Sequence, residues 1–151
     1  MTKSFLSSLV FAFLVTACAS TSECHLTDDD FAVSSQEEME QWYNRFKRCE
    51  NSPDVSSDVL LGLAMAIGWA EIDGYPANRP EHLYDLVYRA ATLGNGDALN
   101  DLARFYEIGV AELGIPRNNE IFRCLDNLAH IALEEDSDFT VRVDNCLLLA
   151  S

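Results

Sequence analysis

Apolar positions along this chain recur at intervals of three and four, in blocks separated by Gly, Pro and Asn. That pattern predicts short amphipathic helices joined by tight turns. The clearest block is 88–109. Arg89, Ala90 and Ala91 run into Gly94, and Asn95 and Gly96 supply the residues a sharp reversal needs. A new periodicity opens at Asp97 and carries Ala98, Leu102, Phe105, Tyr106 and Gly109. Upstream, Ser35 and Glu38 form a capping box that starts a helix running to about Glu50, with Met39, Trp42, Tyr43, Phe46 and Cys49 on one face. Residues 59–70 carry no charge and are apolar almost all round, which predicts a buried helix with neighbours on more than one side. Gly62 and Gly68 lower its helix propensity, and close helix packing is the expected compensation.

Asn78, followed by Pro80 and Glu81, caps a further helix carrying Leu83, Leu86, Val87, Ala90 and Ala91. Asn118 or Asn119 caps another, carrying Ile121, Phe122, Leu125, Leu128, Ala129 and Ala132. An acidic break at 134–138 precedes a short segment, 139–150, read as a capping helix. The predicted class is all-α. The chain also repeats. Gly74, Pro76 and Asn78 return forty residues later as Gly114, Pro116 and Asn118, while Asp58, Leu63 and Ala64 return thirty-nine later as Asp97, Leu102 and Ala103. Helix–turn–helix units of that period predict a short α-solenoid of about two repeats, with a lead helix before it and the capping helix after it.

The ends add an address. Lys3 and the apolar run 5–15 have the form of a secretory leader, too short to span a bilayer comfortably. Val15, Thr16, Ala17 and Cys18 then resemble the lipobox of bacterial lipoproteins. The resemblance implies removal of 1–17 and a lipid on Cys18, with Ala19 resembling outer-membrane sorting if the host has two membranes. The competing reading is ordinary cleavage at the A-x-A site around Cys18, giving a soluble periplasmic or secreted protein. Residues 18–33 read as a polar tether, with the triplet Asp28, Asp29 and Asp30 in solvent, and 34–151 as the helical domain.

The formal charge of the 151-residue chain is −15, and loss of Lys3 makes the mature chain more acidic still. Such a chain is repelled by nucleic acid and anionic lipid, whereas a basic protein partner suits it. With Cys18 lipidated, Cys24, Cys49, Cys124 and Cys146 remain, an even number in an oxidising compartment. Three connectivities are possible, and proximity favours Cys24–Cys49 with Cys124–Cys146. No metal or cofactor is expected: there is no C-x-x-C, and His25, His82 and His130 fall at no ligand spacing. Nor is there a nucleophile elbow, a P-loop or a zinc-protease helix. Glu71 and Asp73 could be imagined as the paired carboxylates of a cell-wall hydrolase, but nothing nearby reads as a substrate cleft.

The middle of the chain resembles the Sel-one-like repeat, a relative of the tetratricopeptide repeat. Its pattern is met by Arg89, Ala90, Ala91, Gly94, Ala98, Leu102, Ala103, Tyr106 and Gly109, with Arg for Lys and Ala for Gly. Leu86 and Val87 depart from the usual aromatic pair, and the match, over about 55–133, is strong only in its centre. The resemblance implies a noncatalytic protein–protein interaction module facing the periplasm. An immunity lipoprotein that neutralises a toxic effector is the alternative, and a cell-wall or β-lactam hydrolase stands third. In such repeats the first helix of each unit lines the concave face. Leu61, Met65 and Trp69 then map, thirty-nine residues on, to Asn100, Arg104 and Ile108. The candidate partner-binding residues are Leu61, Met65, Trp69, Asn100, Arg104 and Glu107. Against this stands the expectation that the lead helix, through Trp42 and Phe46, folds over the stripe and covers it.

Overall fold

In the computed structural model, which describes residues 24–27, 30, 33–69, 79–132 and 138–150 (Trp69 and Ala150 by backbone alone), the predicted capping box closes. The Ser35 hydroxyl accepts from the Glu38 backbone N–H, and the Glu38 carboxylate accepts from the N–H of Ser35, starting α1 (Gln36–Phe46). A single 3₁₀ turn carries the chain on to Cys49, which is disulfide-bonded to Cys24. This bond holds the segment before α1 on the domain, where Cys24, Leu26 and Val33 pack against the core. Asp30 corrects the reading that placed it in solvent. It is 8 % exposed, accepts hydrogen bonds from the backbone and hydroxyl of Thr27, and pairs with Arg45 of α1.

The uncharged stretch forms α2 (Ser57–Trp69), with Val59, Leu60, Leu63, Ala64, Ala66 and Ile67 buried. Burial of such side chains contributes about 1.5–3 kcal/mol each to folding. The corner predicted at Gly94 is a Schellman turn. Asn95 N–H reaches the Ala90 carbonyl and Gly94 N–H the Ala91 carbonyl, with Gly94 at φ 84°, ending α3 (Arg79–Thr92). Asn95 is the cap of α4 (Gly96–Ile108), its side-chain oxygen accepting from Ala98 N–H, and its amide donates to Asp58 at 2.8 Å. Of the two asparagines proposed to cap α5 (Asn119–Ala132), the structure uses Asn118, which accepts from the N–H groups of Glu120 and Ile121.

Each helix packs on its neighbour in sequence: α1 on α2, α2 on α3, α3 on α4 and α4 on α5. The last helix, α6 (Thr140–Leu147), lies on both α5 and α3. Its cap residue Phe139 is fully buried and donates its N–H to the Thr92 carbonyl, Tyr88 donates to Asp144, and Cys146 is bonded to Cys124. One continuous core runs from Trp42 to Cys146. Each end of it is therefore held by a disulfide. No helix among the described residues is long and apolar enough to cross a membrane.

Candidate interaction groove

Where α1 meets α2 decides what α2 leaves open. A Cβ built on Gly62 would lie 2.4 Å from the Trp42 ring, so the indole occupies the space a side chain would take. The lead helix thus seats on α2 at a glycine notch, and Phe46 is buried beneath it. It flanks the stripe at Leu61 and Met65 and leaves this part of it open, contrary to the expectation that Trp42 and Phe46 would close the surface there. Leu61 stays partly exposed and Met65 is 36 % exposed.

The open surface is a groove of about 880 Å³. Leu61, Met65, Asn100, Arg104 and Glu107, all named from the sequence, line it together, and so does Ile108. Trp69 ends α2, and its side chain lies outside the described residues, as do Glu71, Asp73, Cys18 and the first copy of the Gly–Pro–Asn turn at 74–78. Sequence reasoning missed the share of the second helices, namely Leu83 and Val87 of α3 with Phe122 and Asp126 of α5. A signal for them existed. Leu83 and Phe122 stand thirty-nine residues apart, as do Val87 and Asp126, Leu61 and Asn100, Met65 and Arg104, and Gly68 and Glu107. The thirty-nine-residue register that relates Asp58, Leu63 and Ala64 to Asp97, Leu102 and Ala103 therefore relates the groove-lining pairs as well.

The two walls differ in chemistry. The α2–α3 side presents Leu61, Met65, Gly68, Leu83 and Val87 and bears no charge. The α4–α5 side carries Asp97, Asp101, Glu107 and Asp126 beside Phe105, Ile108 and Phe122, with Arg104 its single cation among the described residues. Among the described residues none of these four carboxylates is in an ion pair. Asp101 is held above the ordinary carboxylate range. Partial burial in the groove is the main cause and the neighbouring Asp97 adds to it, while Arg104 pulls the other way.

A smaller depression of about 360 Å³ adjoins the groove, sharing Leu61, Met65 and Asp97 and reaching Trp42 and Leu26. Behind the groove, Tyr84 is 3.2 Å from the Tyr106 hydroxyl and packs on Phe105. Burial pushes the Tyr84 phenol well up, and the bond to Asp144 pushes Tyr88 up to about 12, so both stay neutral and act as packing groups. His130 is exposed on α5. Compared with known proteins, the chain matches no family model, no curated protein and no solved structure.

Proposed function

We propose that this chain is a noncatalytic protein-interaction module built from two Sel-one-like helical repeats and displayed at the bacterial envelope by a lipid on Cys18. The observation that carries the reading is the groove. Ten of its lining residues form five pairs in the thirty-nine-residue register, and Met65 and Ile108 stand open to solvent there. Stacked repeats bring equivalent positions onto one continuous surface, which is how such folds make binding faces. Large exposed apolar side chains gathered in a concavity mark a contact surface, because leaving them in water costs free energy that a partner recovers.

A second reading, immunity against a toxic effector, is favoured by the charge: a chain of −15 with unpaired carboxylates in its groove suits a basic toxin. Fractionation and capture test the proposal together. The native chain should sediment with membranes, and Cys18→Ser should release it. Capture from intact envelopes should lose its specific partner in Met65→Glu combined with Glu107→Lys, while the circular dichroism of the variant stays that of the native protein. A native chain found wholly in the soluble fraction removes the anchor, and a partner retained by the double variant removes the groove.

A further inference from the structure

Resting on that reading, we infer that the groove takes a basic amphipathic α-helix of the partner protein, its apolar stripe against α2 and α3 and its cations against α4 and α5. Three features lead there. The charge is divided by wall, so an occupant must be divided the same way, apolar on one side and cationic on the other. An amphipathic helix has that division along its whole length.

The second feature is spacing. Asp97 and Asp101 stand one turn apart on α4 and line the groove together. A helix lying along α4 repeats its own side chains at the same rise of about 5.4 Å per turn, so Lys or Arg residues at i and i+4 meet both carboxylates. The third feature is the lack of partners. An uncharged apolar segment would strip water from Asp97, Asp101, Glu107 and Asp126 and return nothing, which opposes its binding. A cation returns the lost solvation and removes the mutual repulsion that already acts between Asp97 and Asp101. A second copy of this chain is a poor occupant, since it brings −15 to an acidic wall. Met65, unbranched and polarizable, can adapt to whichever apolar side chain the helix presents.

The experiment uses the full chain in zwitterionic nanodiscs and a defined peptide probe. The probe has leucines at i, i+3, i+4 and i+7, lysines on one flank, and a benzophenone on the apolar stripe. A scrambled peptide of equal composition and one with Glu for every Lys are the controls, and empty nanodiscs set the background. The lysine peptide should crosslink to α2, with Met65 the main adduct. It should bind at least about tenfold more tightly than the scrambled peptide, and its affinity should fall with added salt. Asp101→Asn with Glu107→Gln should weaken it about tenfold without lowering the melting temperature.

Equal binding of the scrambled peptide, or adducts on exposed Val141 and Leu148, would mean diffuse charge attraction and would overturn the inference. The two proposals fail separately. If Met65→Glu with Glu107→Lys abolishes native capture while the lysine peptide neither binds nor competes, the groove stands and the cationic helix falls. If native capture survives that double variant, the groove falls, whatever the peptide does.

Discussion

The α2–α3 wall and the α4–α5 wall are related by a thirty-nine-residue sequence register and differ in charge. In the first, residue 62 is a glycine filled by Trp42 from α1; its equivalent in the second is Asp101, which faces the groove. The first unit gives a side of its first helix to the lead helix and keeps an apolar stripe open. In the second unit α6 packs on α5, and the groove-lining face adds four carboxylates and Arg104 to its apolar side chains. The paired lining positions share one register, and the residues that differ between the two walls supply the polarity. A groove can therefore be two-sided although the positions that line it follow one sequence register.

The largest effect expected concerns the ends that hold these walls in place. Bridges spanning separations of 25 and 22 residues contribute about 3 kcal/mol each in the chain-entropy view. Replacing Cys24 and Cys49 with Ala, or Cys124 and Cys146 with Ala, should lower the melting temperature by similar amounts, and reducing both should give roughly the sum. A pair whose removal changes nothing would show that its end is held by packing alone.

Beneath the walls the two units should behave alike. Leu63 and Leu102 are register equivalents and both fully buried, so Leu63→Ala and Leu102→Ala should each cost about 2–5 kcal/mol in denaturant unfolding. A wide disparity would break the equivalence on which the comparison of walls depends. At the groove level the units should diverge. Gly62→Leu drives a side chain into the Trp42 ring and should cost about 1–3 kcal/mol, seen also as increased Trp fluorescence quenching by acrylamide. Asp101→Leu, at the equivalent site, should leave stability within about 0.5 kcal/mol. If both substitutions are tolerated equally, the notch does not seat the lead helix.

Much of this arrangement was legible in local sequence. The Ser35–Glu38 box, the Gly94 corner and the asparagine before α5 are short-range signals whose chemistry is complete within a few residues, and each is formed as read. The stripe Leu61, Met65, Asn100, Arg104 and Glu107 was legible because helical spacing and the repeat period both act on sequence number. What was not legible depends on contacts between distant segments. Gly62 read only as a weak helix former, and its use by Trp42 requires knowing the angle at which α1 arrives. Asp30 read as one of three solvated acids, yet Thr27 and Arg45 claim it across a fold in the chain. The share of α3 and α5 in the groove follows from tertiary stacking, although the period already contained it.

The smallest effects expected are in pH dependence, and they have opposite signs in the two regions. For Asp30 burial alone would raise the carboxyl pKa, but the bonds from Thr27 and the charge of Arg45 outweigh it and the result lies below the ordinary value. A depressed pKa gives stability that is present above the unfolded value and lost as pH falls through the folded one. Asp101 is raised, so its contribution is most favourable in acid and is lost as pH rises through its folded value. Melting curves from pH 3 to pH 7 should therefore show Asp30→Asn losing stability mainly at the neutral end. Asp101→Asn should be slightly stabilised there. The same sign for both variants would contradict the assignment of one carboxylate to a clamp and the other to an unpartnered wall.

The most direct measurement is photo-crosslinking in living cells, with a photoreactive amino acid placed singly at 65, 104 or 141 of the full chain. Positions 65 and 104 both line the groove, one from α2 and one from α4, while Val141 is 71 % exposed on α6, outside it. A groove that holds a partner helix gives one adduct of the same mass at 65 and 104 and none at 141. Its crosslinked peptide, sequenced by mass spectrometry, should carry Lys or Arg beside an apolar stripe at helical spacing. No adduct at 65 and 104, or the same species at all three positions, would contradict a partner seated between the two walls.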